Sequence, residues 1–387
     1  MLKIKTMNAI AESGLEVLRE ANCEVGPDTE GAQALLIRSA PLHDAVLPEE
    51  LLCISRAGIG VDNIPIDRCT EKGIAVFNTP GANADAVKEL VICALLLSSR
   101  DVTGGIEWVK TLAGQGDAVK GLVEKEKNRF VGPEIAGKKL GVIGLGAIGA
   151  RVANAALQLG MEVYGYDPFL SVASAWNLPS KVKNVTELGM LFHTCDYITI
   201  HVHCTPETRG MINETVLSKA KPGLRMLNLA RGELVDDDAM LAALADGRVS
   251  HYVTDFPNGK LAGQKGVLAF PHLGASTPEA EEKCAVMAAE ELLDYLKNGN
   301  ITNSVNFPTA VLDRLGESRL CLLHKNQPRM LNQFLTIISE ENVNVEHMLN
   351  KARGELAYTI FDTTTALTES VAERMRTVPG VYRVRLL

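Results

Sequence analysis

Short apolar runs alternate with longer mixed stretches along the first hundred positions. The runs at 34–38 (ALLIR), 52–57 (LCISRA) and 74–78 (IAVFN) give way to turns containing Gly, Asp or Pro, and they predict strands. Positions 84–98 (ADAVKELVICALLLS) are unbroken over a length too great for such a strand, and they predict a buried helix. Strand–helix alternation of this kind implies a parallel sheet joined by crossover helices. A second stretch with the same rhythm begins at Lys139 and runs to about Pro271. A long helix is then predicted at 276–298, with Ser276 and Glu279 as a capping box, Pro278 in the first turn and Gly299 past the last. Positions 300–317 are polar, contain Pro308 and Gly316, and predict a linker. The remainder has a β-α-β-β-α-β rhythm, with strands at 319–324, 343–349, 355–362 and 381–386 and helices at 330–341 and 367–377.

At 387 residues the chain is too long for one core, and two or three domains are expected. The formal charge of -8 argues against nucleic acid as a partner and gives no pull toward an anionic membrane. A small anionic substrate is compatible with it, because a pocket can carry charge opposite to the global sign. Positions 1–18 contain no signal-peptide core, and the longest apolar run, 90–97, is about one third of a membrane span. Eight cysteines are scattered without a C-x-x-C pair, as expected of small core residues in a reducing, cytoplasmic compartment, and no metal is expected.

Positions 140–153 (LGVIGLGAIGARVA) run from an apolar strand through G-x-G-x-x-G into an amphipathic helix. Gly144 suits the tight turn, Gly146 suits close approach of the backbone to a pyrophosphate, and Gly149 suits close helix–strand packing. The next strand, 162–166, ends in Asp167, eighteen residues beyond Gly149. A carboxylate there accepts from both ribose hydroxyls of NAD and repels the extra phosphate of NADP. A bare glycine-rich turn would not require strand, helix and acid in this order.

Three further segments end predicted strands, where open α/β sheets place ligands: 227–236, 252–257 and 270–278. Oxidation of a hydroxy acid requires a base for the hydroxyl proton, a cation for the carboxylate and a nearby hydride acceptor. Arg231 suits the cation, since its planar fork binds carboxylates bidentately and stays charged. His272 suits the acid/base, since imidazole titrates near neutrality. Composition alone does not single out either residue.

With these residues the chain resembles the D-isomer-specific 2-hydroxyacid dehydrogenases, and within them the branch that oxidises 3-phosphoglycerate. Besides the glycine motif, the likeness rests on 56–63 (RAGIGVDN), 78–80 (NTP), 204–210 (CTPETRG), 228–232 (NLARG) and 271–275 (PHLGA). The resemblance implies an α/β protein of two doubly wound, Rossmann/flavodoxin-like domains plus a C-terminal βαββαβ unit. A discontinuous substrate domain would comprise 1–98 and 280–306, the NAD domain 99–279 and the C-terminal domain 318–387. It also implies NAD as cofactor and a small 2-hydroxy or 2-keto acid as substrate, in a homo-oligomer (dimer or tetramer). Arg231 would hold the substrate, His272 would be the acid/base and Asp167 would meet the adenosine ribose. Ala147 and Ile148 would lie at the pyrophosphate, with Thr79, Leu229, Ala230, Asp255, Gly274 and Ala275 also against the cofactor. Arg56, Ile59 and Gly60 would contact the substrate anion, and Lys127 and Arg129 are further candidates for its phosphate. One departure stands out: where the family carries a glutamate supporting the histidine, this chain has Lys260. Asp255 is the only carboxylate of that loop and is offered as its substitute; the alternative is a histidine that works without a close acid.

The C-terminal stretch resembles ACT domains of the serine-sensing kind through 324–328 (HKNQP), 341–344 (ENVN) and 378–386 (VPGVYRVRL). The resemblance implies edge-to-edge pairing of two such domains, with L-serine held by His324, Asn326 and Asn344. Arg329 replaces the glycine usual in that turn, and the double-glycine hinge is missing, so a ligand-free dimerisation domain is the alternative. For the whole chain the competing readings are a dehydrogenase of 2-hydroxyglutarate, glycerate or lactate, and a non-enzymatic NAD-binding regulator. NADP-linked reduction is a third, and Asp167 opposes it.

Overall fold

The computed structural model describes residues 1–170, 175–176 and 178–387. Contacts divide the chain into one unit of Met1–Asn83 with Pro278–Leu387, and a second of Ala84–Thr277. The helix Ala84–Ser99, assigned from sequence to the first domain, groups with the second.

In the first unit five parallel strands, β1 (Lys3–Met7), β2 (Glu24–Gly26), β3 (Ala34–Ile37), β4 (Cys53–Arg56) and β5 (Ala75–Asn78), lie in the order β2-β1-β3-β4-β5. This is the flavodoxin-like arrangement. Apolar runs such as Ala75, Val76 and Phe77 are wholly buried, as a sheet covered on both faces requires. The helix Pro278–Asn298 buries Cys284, Ala288, Leu292 and Tyr295 against this sheet. Helix Glu12–Glu20 crosses it so closely that a Cβ on Gly14 would stand 2.6 Å from the Ala285 backbone. The capping prediction is corrected: the long helix begins at Pro278, and the Ser276 hydroxyl donates to the His272 carbonyl.

The predicted linker at 300–317 is also corrected. Ile301, Phe307 and Ala310 are buried, and Asn306 bonds the β5 edge through Val76 N (3.0 Å) and the Ile74 carbonyl (3.0 Å). Its polar residues complete the sheet's unpaired edge instead of facing water.

The last sheet contains β13 (Ser318–Lys325), β14 (Val345–Arg353), β15 (Leu356–Thr363) and β16 (Val381–Leu386), antiparallel in the order β14-β15-β13-β16. With helices Met330–Glu340 and Glu369–Arg376 it is the expected βαββαβ unit. It is bound tightly to the end of helix Pro278–Asn298. A helix leaves its last four carbonyls without partners, and here each receives a guanidinium. Arg385 donates to Tyr295 and Leu296 (2.8 Å each), Arg314 to Lys297 (3.4 Å) and Arg319 to Asn298 (2.8 Å). Arg319 is fully buried and forms a two-pronged pair with Asp362, 2.6 Å at each prong. Its remaining donors reach the Leu312 and Asp313 carbonyls, so all five are satisfied.

A carboxylate is also buried in this unit. Glu291 is 7% exposed, accepts from Asn303 (2.8 Å) and Ser55 (3.4 Å), and burial pushes its pKa up to about 8 from an ordinary 4.5. From about pH 4.5 to about 8 the unfolded chain holds Glu291 ionised while the folded chain keeps it protonated. Folding therefore loses stability as pH rises through that window and no more above it. Glu291→Gln keeps both hydrogen-bonding sites without the charge. Its melting temperature is expected to match the parent's near pH 4 and exceed it by on the order of 5 °C at pH 8. Equal melting at both pH values would contradict the assignment.

The second unit has seven parallel strands in the order β12-β11-β10-β9-β6-β7-β8: β6 (Lys139–Ile143), β7 (Glu162–Tyr166), β8 (Lys183–Asn184), β9 (Tyr197–Ile200), β10 (Leu224–Asn228), β11 (Val249–Thr254) and β12 (Val267–Ala269). Successive strands are added in one direction from β6 to β8 and in the other from β9 to β12, so the order reverses between β6 and β9, which makes the switch point at which doubly wound sheets bind ligands. Val87, Val91 and Leu95 of helix Ala84–Ser99 pack with Val152, Leu227 and Val253 over one face. Among the described residues no helix is long and apolar enough to cross a membrane.

Candidate active site

Because the strands of the second unit are parallel, their C-terminal ends line one edge, and the loops that follow build the site. After β6, Gly144 adopts φ +84°, and a Cβ on it would stand 2.6 Å from the His201 carbonyl oxygen beyond β9. A Cβ on Gly149 would collide with the Gly144 carbonyl at 1.9 Å. At Gly146 a Cβ would meet nothing within 4 Å, so this side of the loop is open. Helix Ala147–Gln158 begins at Gly146 without a side-chain cap. Open space, a helix N-terminus and backbone N–H groups at Ala147 and Ile148 make a cradle that fits a pyrophosphate. Asp167 follows β7; its carboxylate accepts from Leu145 N (2.9 Å) and Phe169 N (3.0 Å), which ties it to the same loop.

Sequence reasoning passed over His201. Its Nε2 pairs with Thr199 Oγ1 at 3.0 Å, its Nδ1 is shut away from solvent without a partner among the described residues, and burial pushes its pKa down to about 3. The residue that follows β9 therefore presents its carbonyl to Gly144 and keeps its imidazole neutral, adding no positive charge there.

After β10 the chain turns through Leu229 and Ala230 to Arg231. The wholly buried Asn228 shapes this turn: its amide donates to the Arg231 carbonyl (2.8 Å) and its oxygen accepts from Ala230 N (3.2 Å). After β11 come Asp255 and Phe256, and after β12 comes His272. The structure corrects the role offered for Asp255. Its fully buried carboxylate accepts from Leu273 N and Gly274 N, 2.7 Å each, and no hydrogen bond joins it to the His272 imidazole among the described residues. These two bonds hold the turn in which His272 takes the left-handed φ of 56°, a conformation that costs a non-glycine residue energy unless its surroundings impose it. Lys260, at the place of the family glutamate, points to Asp238 at 2.8 Å.

One aromatic ring joins the two predicted catalytic groups. The Phe256 ring centroid lies 4.8 Å from that of His272 and 5.9 Å from the Arg231 guanidinium carbon. Phe256 was hidden in the sequence, where it reads as an ordinary apolar residue ending a strand; its place next to Asp255 was the sole signal.

The remaining predicted residues lie in the first unit or away from this edge. Arg56 ends β4, and its Nε donates to the Arg38 carbonyl (2.9 Å). Asn78 donates to the Ile59 carbonyl (2.7 Å) and Thr79 N to that of Gly58 (3.2 Å), which gathers Arg56, Ile59, Gly60 and Thr79 into one loop cluster. Lys127 and Arg129 are exposed and form local ion pairs with Glu124 and Glu126. In the C-terminal sheet His324 is buried, with its ring nitrogens 2.7 Å from the Lys325 carbonyl and 2.8 Å from Thr359 Oγ1. Asn326 bonds the Gly354 carbonyl (3.1 Å). Asn344 lies at the opposite end: His324 pairs with Ala357, whereas Thr364 N donates to the Asn344 carbonyl. One chain therefore does not bring the three together.

Residues 94–274 match the family model described as the NAD-binding domain of D-isomer-specific 2-hydroxyacid dehydrogenases. A D-3-phosphoglycerate dehydrogenase of Synechocystis sp. is 32% identical over 341 residues, 82% of this chain and 58% of that protein. One from Haemophilus influenzae is 31% identical over 350 residues, 87% of this chain and 82% of that protein. An NAD+-bound 3-phosphoglycerate dehydrogenase structure from Entamoeba histolytica covers 79% of this chain and 98% of its own, with a TM-score of 0.60 and 26% identity. The chain spans little more than half the length of several curated relatives, 55% to 58%. The shared motifs, the switch-point cradle and these matches place the chain in the D-isomer-specific 2-hydroxyacid dehydrogenase family.

Proposed function

We propose that the chain is an NAD-dependent dehydrogenase oxidising 3-phosphoglycerate to 3-phosphohydroxypyruvate, the chemistry named by its relatives from Synechocystis and Haemophilus. The observation that carries this reading is the convergence of Arg231 and His272 on one ring, at the sheet edge that bears the pyrophosphate cradle. NAD, when bound, supplies the hydride acceptor. The Arg231 guanidinium binds the substrate carboxylate and opposes the charge that develops on the oxygen at C2. A ring nitrogen of His272 takes the hydroxyl proton as the C2–H bond breaks, and returns it in the reverse direction. Asp167 accepts from the ribose hydroxyls and disfavours NADP. Leu229, Ala230, Gly274, Ala275 and Thr79 are assigned to the cofactor, and Arg56 with the Ile59 and Gly60 backbone to the substrate's anionic end. Asp255 acts on the loop backbone.

A panel of 2-hydroxy and 2-keto acids with NAD(H) or NADP(H), read at the nicotinamide absorbance band, tests this reading. Phosphorylated glycerate with NAD is expected to rank first. Preference for lactate, glycerate or 2-hydroxyglutarate would move the chain to another substrate of the family. Turnover of none of them would leave a dinucleotide-binding regulator.

The C-terminal βαββαβ unit is read as an ACT domain. Because Asn344 and His324 sit at opposite ends of one sheet, a serine site would draw them from two copies. A homo-oligomer is also supported by the apolar residues left open at Ile106, Val109 and Val131. Millimolar L-serine is expected to lower the rate and raise the melting temperature; no change in either would remove the sensing role. Eight free cysteines and a metabolic reaction suit the cytoplasm.

A further inference from the structure

A dehydrogenase histidine needs its ring held while a proton passes, and a carboxylate hydrogen bond commonly does this. Here no hydrogen bond reaches the His272 imidazole among the described residues. Asp255 is committed to Leu273 and Gly274, and Lys260 to Asp238. The Phe256 ring packs against the imidazole, tilted at 55° with centroids 4.8 Å apart, within the range of favourable aromatic pairs. The same ring carries the Arg231 guanidinium within the reach of a cation–π contact. Phe256 belongs to none of the unit's apolar cores, and its position is fixed from below. Its backbone N–H donates to Thr254 Oγ1 (3.1 Å), and Gly232 is so close that a Cβ there would stand 3.3 Å from that of Phe256. Partly buried and outside those cores, the Phe256 ring packs on these two polar groups.

We propose that Phe256 is the positioning residue of this site: its ring holds the His272 imidazole and the Arg231 guanidinium in one arrangement, in place of a carboxylate bonded to the histidine. The proposal rests on the dehydrogenase reading. Among the described residues neither group has an ion pair, and Arg231 is held only by the local bond from its Nη1 to the Ala230 carbonyl (2.7 Å), so a flat ring that both can lie against restricts each and sets their separation together. Loss of the ring frees both at once, and misplacement of reacting groups by about 1 Å can cost 100-fold in rate.

The test compares the full chain with Phe256→Leu and Phe256→Tyr, using the best substrate of the panel. Phe256→Leu is expected to lower kcat by on the order of 10- to 100-fold and raise KM for the hydroxy acid, with NADH affinity and melting temperature unchanged. Phe256→Tyr, which keeps the ring, is expected to restore most of the rate. Parent-like turnover in Phe256→Leu, or failure of Phe256→Tyr to recover activity, would overturn the proposal. So would a rate loss accompanied by weakened NADH binding and melting, which would mark a general structural role. A second readout does not need turnover. The His272 ring-proton NMR signals, assigned through His272→Asn, should be displaced by the aromatic ring in the parent and move toward ordinary histidine positions in Phe256→Leu. Unmoved signals overturn the proposal even if the parent is active, whereas moved signals from a parent inactive on every substrate keep the ring contact and sink only the dehydrogenase reading.

Discussion

Arg319→Met is expected to destabilise the chain by about 3–5 kcal/mol, the cost of leaving one member of a buried ion pair without the other. Asp362 would remain fully buried, and three backbone carbonyls, those of Asn298, Leu312 and Asp313, would lose their donor. The penalty arises mainly from the stranded groups rather than from the lost attraction, because both ions were desolvated to form the pair. Replacing both partners, Arg319→Met with Asp362→Leu, removes the stranded charge and is expected to recover a large part of the loss. Thermal melting measures both variants, and a fall of roughly 10 °C is expected for the single change. A single variant that melts with the parent would show that Arg319 does not lock the C-terminal sheet to the helix end.

His272→Asn is expected to lower kcat by 100- to 10,000-fold, the usual range for removal of a general acid/base. Asparagine is a polar residue that tolerates left-handed backbone well, so the loop at φ 56° should survive the change. The Asp255 bonds to Leu273 and Gly274 involve only backbone N–H groups and are retained. NADH binding, followed by its fluorescence, should therefore match the parent while turnover collapses. If His272→Asn keeps more than about a tenth of the parent rate, the proton passes elsewhere and the role assigned to His272 is wrong.

The features legible in the sequence were local ones. The glycine loop, the acid at Asp167 and the strand-ending segments around Arg231 and His272 depend on residues within a few positions of one another, and the fold positions them as the spacing implied. The βαββαβ rhythm was legible because turn residues separate its short runs, although β13 and β15 are buried at nearly every position and carry no alternation. The failures came where a polar residue finds its partner far along the chain. Positions 300–317 looked like solvated linker because Asn300, Ser304 and Asn306 are polar, yet Asn306 closes hydrogen bonds to Ile74 and Val76, more than two hundred positions earlier. Arg319 and Asp362, which stand at the ends of predicted strands and drew no attention in the sequence, are wholly buried.

The motifs, the periodicity and the turn residues by themselves determined the two doubly wound sheets, the dinucleotide cradle and the chemistry available at the strand ends, because backbone geometry and local hydrogen bonding follow from neighbouring residues. Tertiary packing alone decided what Asp255 binds, which ring meets His272 and Arg231, and how the arginines close the end of helix Pro278–Asn298. The physical reason is that a buried charge or imidazole takes whichever partner the packed chain brings within about 3 Å, and sequence spacing does not encode that distance.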